Sequence, residues 1–177
     1  MGSDLEIVNQ AKTDCKQFQS LYRKYLPLIF NYCLNRLGNK HNAEDVTSAV
    51  FFSALDKIQQ FNTKKGLSFK AWLFSIAHNK IIDFYKKHKD YSLDSYTFEK
   101  TSNLEDELNE KIILEERQKE VIKILSLLKP NYQQILTLKF YAELSNPEIA
   151  EVMNVKQEVL NNQLHRALES FEKKFKE

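Results

Sequence analysis

The sequence predicts an all-α protein made of two small helical domains joined by an acidic linker. Apolar residues recur at three- and four-residue steps along most of the chain, which is the period of a helix with one buried face. Glycine and proline are scarce, with three of each in 177 residues, which disfavours a turn-rich β architecture. Net charge is +6 over residues 1–87, −3 over 88–129 and −1 over 130–177. This uneven distribution of charge indicates two functional parts joined by a segment of different charge.

The composition excludes several classes of protein. Hydrophobic content of 42% with 28% charged residues is typical of a globular protein. No apolar run approaches the roughly 18 residues of a membrane span, and the acidic amino end lacks the pattern of a signal peptide, so we expect a cytoplasmic protein. Cys15 and Cys33 lack metal-type spacing and are expected to be reduced. The histidines are scattered and no glycine-rich phosphate loop occurs, so we expect no catalytic residue, metal or cofactor.

The first domain is expected to span residues 1–88. A long amphipathic helix begins at Phe18 and ends before Gly38, a natural stop, with a kink or break at Pro27 because proline removes a backbone donor. The next helix is expected to be capped by Asn42. Its predicted buried face comprises Val46, Val50, Phe51, Ala54, Leu55 and Ile58.

A third helix, capped by Ser68 and running to about residue 87, has two unlike faces. Its apolar stripe comprises Phe69, Trp72, Leu73, Ile76 and Ala77. Its polar, mainly basic face comprises Asn79, Lys80, Asp83, Lys86 and Lys87. A helix that is anchored by an apolar face and presents amide and ammonium groups suits nucleic acid. The alternative is a core helix with a solvated basic end.

The pattern weakens over residues 89–118, which we interpret as the acidic linker, and the second domain is expected to span 119–177. A stripe from Val121 to Leu128 stops before Pro130, and a helix follows from Tyr132 to Phe140. Further along, Ser145 and Glu148 have the spacing of a capping box. Asn154 lies where the chain must reverse, and asparagine tolerates the left-handed conformation. A last helix is striped by Leu160, Leu164 and Leu168. This order predicts a helix-turn-helix, with a plain helical hairpin as the alternative.

Short motifs in both parts carry a family resemblance. They are Ala43-Glu44-Asp45 followed by Phe51; Phe69, Trp72, Leu73, Ile76, Ala77, Asn79 and Asp83; Pro130; Glu148-Ile149-Ala150; and Leu164, Arg166 and Ala167. In this order, with an acidic linker between them, they resemble a sigma factor of bacterial RNA polymerase of the compact extracytoplasmic-function type. The resemblance implies a non-enzymatic initiation factor that recognises and melts promoters. It also implies three kinds of partner, which are core RNA polymerase through its clamp helices and flap, promoter DNA, and an anti-sigma factor.

The resemblance also implies roles for particular residues. A polymerase-binding surface falls on Asp45, Ser48, Ala49 and Phe52. A loop that captures a flipped base falls on Phe61, Asn62, Lys64 and Lys65. Further contacts with the minus-ten region fall on Asn79, Lys80, Asp83, Lys86 and Lys87, and contacts with the minus-thirty-five element fall on Lys156, Asn161, Asn162, His165 and Arg166.

Each of these roles has a structural alternative. Phe61 would simply anchor its loop to the core, and Trp72 would be a core residue and not a stacking platform. Asp83 would only pair with Lys80 or Lys87 on the helix surface. Lys86 and Lys87 would only be solvated side chains at the carboxyl end of the third helix, where the helix dipole favours positive charge.

The sequence departs from the family at several positions. Ser48 and Ala49 stand where the family has a Gln-Glu pair, and Val159, Asn161 and Gln163 replace the usual Thr, Lys and Arg of the recognition helix. With a net charge of −1 on the second part, we expect a weak minus-thirty-five contact, with polymerase supplying affinity by tethering. The rival functions are a stand-alone helix-turn-helix regulator and a sigma-like decoy that binds polymerase without reading DNA.

Overall fold

The computed structural model describes residues 4–62, 66–88, 120–121 and 123–176, and every regular element in these ranges is helical. The first half comprises α1 (Asp4–Thr13), α2 (Phe18–Leu37), α3 (Lys40–Lys57) and α4 (Phe69–Lys87), with 3₁₀ turns at Cys15–Gln17 and Ile58–Gln60. The second half comprises α5 (Pro130–Leu136), a π-helical stretch Thr137–Tyr141, α6 (Asn146–Val152) and α7 (Gln157–Phe175). The all-α prediction is confirmed. The predicted linker, 89–118, lies outside the described residues.

Local chemistry fixes several helix ends where the sequence predicted them. Gly38 ends α2 in the left-handed conformation, with φ of 64°. The Ser68 hydroxyl accepts a hydrogen bond from the backbone N–H of Ala71 at 3.1 Å and caps α4. Ser145 and Glu148 form the predicted capping box of α6, and Asn154 reverses the chain with φ of 53°.

The cap predicted for α3 was wrong, and of the kink or break predicted at Pro27 the break does not occur. Asn39, and not Asn42, caps α3: its side chain accepts from the backbone N–H of Asn42 at 3.0 Å. Pro27 does not break α2, which runs continuously from Phe18 to Leu37. Pro27 and Arg23 are both exposed, so water can satisfy the Arg23 carbonyl that the proline leaves without a backbone donor.

The apolar stripes of the second half also differ from the prediction. Leu168 is 42% exposed, and its neighbour Ala167 is fully buried in its place. The helix predicted from Tyr132 to Phe140 begins at Pro130 and widens into the π-helical stretch, which leaves Leu138 buried and Phe140 exposed. A wider turn shifts the side-chain period, so the stripe predicted for an α-helix no longer holds there.

The core brings the two halves together. In the first half α2, α3 and α4 form a bundle. Val8 and Ala11 of α1, a helix that was not predicted from the sequence, pack against this bundle. Apolar residues of the second half, including Ile135, Ile149 and Val152, belong to the same buried cluster. The two helical parts therefore pack on each other, with α4 against α6.

Candidate functional site

One face of α3 presents the four residues that were predicted to bind polymerase. Their spacing of three and four residues places them along one strip of the helix. Asp45 and Ser48 are exposed, Ala49 is half-buried, and the phenyl ring of Phe52 is 75% exposed. The adjacent Phe51 points into the core, with its ring 4.8 Å from that of Tyr22. Phe51 therefore packs in the core, whereas the adjacent Phe52 lies on the surface.

The carboxyl half of α4 presents the predicted basic face. Asn79, Asp83, Lys86 and Lys87 are exposed, and Lys80 is half-buried. Asp83 lies 4.0 Å from Lys86, so its surface partner is neither of the two lysines that the sequence analysis named. An ion pair this exposed contributes little stability and leaves the lysine available to a stronger anionic ligand.

The loop after α3 is anchored by Phe61, whose side chain is only 3% exposed. Its ring lies 5.6 Å from that of Phe69 and 5.3 Å from that of Trp72, and its carbonyl oxygen accepts a hydrogen bond from Lys12 Nζ at 2.7 Å. These contacts favour the alternative interpretation that Phe61 and Trp72 pack the loop onto the core. Asn62 is exposed, whereas Lys64 and Lys65 lie outside the described residues.

A polar cavity of about 330 Å³ adjoins this loop. Its lining includes Leu5 and Asn9 of α1 together with Gln59, Gln60 and Asn62. The contribution of α1 to this cavity was not predicted from the sequence. The helix has only a short apolar pattern, and its contact with a loop about fifty residues away leaves no local signal.

The recognition positions of the second half lie on the first turns of α7 and just before it. Lys156, Asn161, Asn162, His165 and Arg166 are all exposed. Two of them already have partners within the chain: Asn161 accepts a hydrogen bond from Asn146 Nδ2 at 3.0 Å, and His165 lies 3.4 Å from Glu169. The amide and cationic groups are therefore displayed together on one surface.

Polar contacts join the two halves beside α4. The backbone N–H of Ser68 donates to Glu148 Oε1 at 3.2 Å, and the Ser68 hydroxyl donates to the same oxygen. Partial burial alone would raise the pKa of Glu148, but the hydrogen bonds from Ser68 and Ser145 outweigh it and hold the pKa below its usual value. Sequence reasoning had no signal for this contact because 80 residues separate the partners.

A second contact between the halves is centred on Gln134, which is 4% exposed. Its Nε2 donates to the Tyr32 hydroxyl at 3.1 Å and lies 2.7 Å from His78 Nδ1. Burial, together with the nearby Arg36 cation, lowers the pKa of His78 to about 4, so the imidazole is neutral at pH 7. Burial also raises the pKa of the Cys33 thiol, to about 11, so that thiol stays protonated.

Two findings from comparison with known proteins show the family to which the chain belongs. Residues 21–91 match the model of Sigma-70 region 2, and residues 114–171 match that of Sigma-70, region 4. A second finding is a relative of similar length, the RNA polymerase sigma factor YlaC of Bacillus subtilis, which is 30% identical over 84% of this chain and 86% of its own length. The chain belongs to the RNA polymerase sigma factors.

Other relatives place this sigma factor in the extracytoplasmic-function group. The ECF RNA polymerase sigma factor SigW of Bacillus subtilis is 29% identical over 94% of this chain and 92% of its own length. The ECF RNA polymerase sigma factor BldN of Streptomyces coelicolor is 32% identical over 93% of this chain, which spans only 62% of the BldN sequence.

Solved structures support the fold of this sigma factor. CnrH, in complex with the cytosolic domain of CnrY, matches with a TM-score of 0.66 at 19% identity, over 96% of this chain and 94% of that one. RpoE, in complex with the anti-sigma factor NepR from Bartonella quintana, matches with a TM-score of 0.69 at 18% identity, over 91% and 98%. Similarity at this level of identity shows that the helical architecture is shared.

Membrane-spanning helices and metal-binding clusters are both absent from the described residues. Within the described ranges, none of the helices combines the length and apolarity that crossing a bilayer requires. The same ranges contain no cluster of three or more His, Cys, Asp or Glu side chains arranged to hold a metal ion. Sigma factors are initiation factors and not enzymes.

Proposed function

We propose that this sigma factor binds core RNA polymerase through the exposed face of α3 and directs the enzyme to promoters. The observation that carries the proposal is Phe52, an aromatic ring that is 75% exposed in a helix whose opposite face is fully packed. Exposed aromatic side chains are typical anchors of protein interfaces. Asp45, Ser48 and Ala49 flank it on the same strip and would form the polar margin of the contact with the clamp helices.

We propose that the first half holds the melted minus-ten region. Asn79 offers a paired donor and acceptor to a base edge, and Lys80, Lys86 and Lys87 would neutralise phosphates. Asp83, paired with Lys86, would position that lysine. Asn62, with Lys64 and Lys65, would line the path of an extruded base, while the buried Phe61 anchors this loop. The observations that support this role are the exposure of the basic end of α4 and the polar cavity beside the loop.

In the second half, α7 is proposed to contact the minus-thirty-five element weakly. Asn161 and Asn162 would address base edges, and Lys156, His165 and Arg166 would contact phosphates. The small number of cations makes the affinity for duplex low. Attachment to polymerase, through the flap, would raise the effective concentration of this helix at the promoter.

The proposed setting is the cytoplasm, where the factor would act without a cofactor and without catalysis of its own. An anti-sigma protein is a further proposed partner. This proposal is supported by RpoE, which shares the fold and was solved in complex with the anti-sigma factor NepR.

Run-off transcription with bacterial core polymerase tests the proposal. We expect promoter-dependent transcripts, whereas duplex binding without polymerase would indicate a stand-alone regulator, and polymerase binding without transcripts would indicate a decoy. The variant Phe52→Ala is expected to weaken binding to core polymerase about tenfold, the range of a moderate anchor residue. Phe175→Ala, which removes another exposed phenyl ring at the end of α7, is the control and should change binding less than about twofold.

A further inference from the structure

Two consecutive hydrogen bonds connect Lys139 to the exposed face of α7 through Asn146, the first residue of α6. Lys139 Nζ donates to Asn146 Oδ1 at 2.8 Å, and Asn146 Nδ2 donates to Asn161 Oδ1 at 3.0 Å. The bonds run from the π-helical stretch, across the amino end of α6, to the second turn of α7. These three residues form an amide relay that ends on the surface of the helix-turn-helix half.

The charge of Lys139 fixes the direction of both bonds. An ammonium group has three donors and no acceptor, so it must face the oxygen of the Asn146 amide and not the nitrogen. The nitrogen of that amide then faces Asn161 and can only donate, so Asn161 has to turn its own oxygen towards Asn146. The cation at one end of the relay therefore decides the orientation of the amide at the other end.

The inner members of the relay are held firmly. Asn146 lies between the cap residue Ser145 and Pro147, so the capping box and the fixed φ of proline both constrain the backbone around it. Lys139 and Asn146 are half-buried, and packing of this kind locks side-chain conformations. Lys139 also lies in the π-helical stretch, and such wide turns are frequent at functional positions. Asn161 is thus presented in one orientation.

The outer end of the relay is an amide nitrogen with two protons to donate. Asn161 is exposed, and among the described residues its Nδ2 has no partner. In the major groove every base except cytosine offers an acceptor, which is N7 of the purines, O6 of guanine or O4 of thymine. Cytosine offers only the N4 donor, which would face the donor protons of Asn161. This orientation therefore suits any base but cytosine.

We propose that Asn161 is a specificity-determining residue, which donates a hydrogen bond to promoter DNA and disfavours cytosine at the base that it faces. Asn146 and Lys139 are positioning residues, because they act on DNA only through the orientation of Asn161. This inference rests on the proposed function, in which α7 contacts the minus-thirty-five element. It adds to that function the direction of one hydrogen bond and the residues that fix it.

The variant Asn146→Asp is expected to reverse the orientation of Asn161. An aspartate has no donor, so it keeps Lys139 as a partner but can only accept a hydrogen bond from Asn161. Asn161 then turns its nitrogen inwards and presents its oxygen to DNA, which suits the N4 donor of cytosine. An acidic residue in the first turn of α6 agrees with the helix dipole, so the helix is preserved.

A control and a second variant isolate the effect of the relay. Asn154→Asp is the matched control, because it makes the same change at an exposed turn of the same half, where aspartate tolerates the left-handed φ of 53°. Lys139→Met keeps the apolar stem but removes the cation, which frees both amides of the relay to take either orientation. Thermal melting establishes that all three variants are folded at the temperature of the assays.

Base preference is measured with the full chain and core polymerase. The holoenzyme binds a pool of promoters randomised over the minus-thirty-five element, and the bound DNA is sequenced. For the wild type and Asn154→Asp we expect one position at which cytosine is depleted about three- to tenfold, the effect of one hydrogen bond. Lys139→Met should reduce this depletion to less than about twofold, and Asn146→Asp should enrich cytosine at the same position.

The ratio between bases separates positioning from a general loss of affinity. The added charge of Asn146→Asp weakens phosphate contacts for all sequences alike and leaves the ratio unchanged. An unaltered ratio in Asn146→Asp would overturn the role of the relay. A wild-type pool without cytosine depletion at any position would overturn the role of Asn161.

Nuclear magnetic resonance of the free chain tests the orientation without polymerase. In the wild type, the side-chain amide protons of Asn161 should exchange with water faster than those of Asn146, which are bonded to Asn161. In Asn146→Asp, the Asn161 protons should become protected and move downfield. Protected Asn161 protons in the wild type would refute the relay alone, whereas failure of the wild type in run-off transcription would reject the proposed function.

Discussion

His78 shows how one buried polar residue can tie the stability of the whole chain to pH. Its Nδ1 lies 2.7 Å from the amide nitrogen of Gln134, which is a donor, so the imidazole accepts this hydrogen bond in its neutral form. Protonation would remove the acceptor and place a second cation near Arg36. The contact between the halves therefore depends on a neutral His78.

The pKa of His78 predicts acid sensitivity below neutrality. The folded value of about 4 lies below the ordinary 6.5, so between these values the unfolded chain binds more protons and folding stability falls as the pH is lowered. We expect a loss of about 1 kcal/mol between pH 7 and pH 5, after discounting for partial solvent exposure.

Urea unfolding of the wild type and of His78→Gln at the two pH values measures this loss. The variant should be less stable at pH 7 and should show a smaller further loss at pH 5. His41→Gln is the control, because the His41 side chain is 81% exposed. A pH response that is the same in all three proteins would show that other groups cause it.

At the scale of elements, α1 is the part that holds the loop after α3 in place. Lys12 Nζ donates to the Phe61 carbonyl at 2.7 Å, and Gln59 Nε2 donates to the Lys12 carbonyl at 2.5 Å. The ring of Phe61 is fixed on its other side by Phe69 and Trp72. The loop is thus clamped between a helix end and an aromatic cluster.

Replacing Lys12 is expected to loosen this clamp. Lys12→Met keeps the apolar stem but removes the donor, and we expect a loss of about 1 kcal/mol of stability, the usual size for a partly exposed hydrogen bond. Amide hydrogen exchange should accelerate at residues 59–62. Lys16→Met removes an exposed lysine from the adjacent turn and should leave both quantities unchanged. Unaltered exchange in Lys12→Met would show that the aromatic cluster alone fixes the loop.

At the scale of the whole molecule, the positive charge is concentrated in the first half. The net charge of +6 over residues 1–87 contrasts with −1 over residues 130–177. A polyanion should therefore be drawn to the bundle of α1 to α4 more strongly than to the helix-turn-helix. Unpairing bases costs a few kcal/mol, and binding at this bundle would offset that cost.

Reversing the charge at the end of α4 tests this division of labour. Lys86→Glu with Lys87→Glu is expected to impair open-complex formation, followed by permanganate reactivity of unpaired thymines, more than it impairs binding to core polymerase. Losing two phosphate contacts should also reduce the slope of log affinity against log salt by about two. Lys173→Glu with Lys174→Glu makes the same change at the end of α7 and serves as the control. If both activities fall equally, the end of α4 has no specific role in DNA binding.

The sequence alone determined the features that depend on neighbours within about one helical turn. These are the helical period, the caps at Ser68 and at Ser145 with Glu148, the stop at Gly38 and the reversal at Asn154. The order of the short motifs along the chain also indicated the family. The cap of α3 was misplaced by three residues because Asn39 and Asn42 are chemically equivalent candidates. The sequence did not predict α1 because few of its residues are buried, namely Val8 and Ala11.

Only the tertiary structure decided which surfaces meet. It buried Phe61 in an aromatic cluster, placed Gln134 against His78, and set the Glu148 carboxylate on Ser68. The physical reason is that these contacts join residues far apart in the chain, and their formation depends on how the apolar faces of the two halves pack. Periodicity can show that a face will be covered, but the partner that covers it is chosen by shape and burial across the whole core.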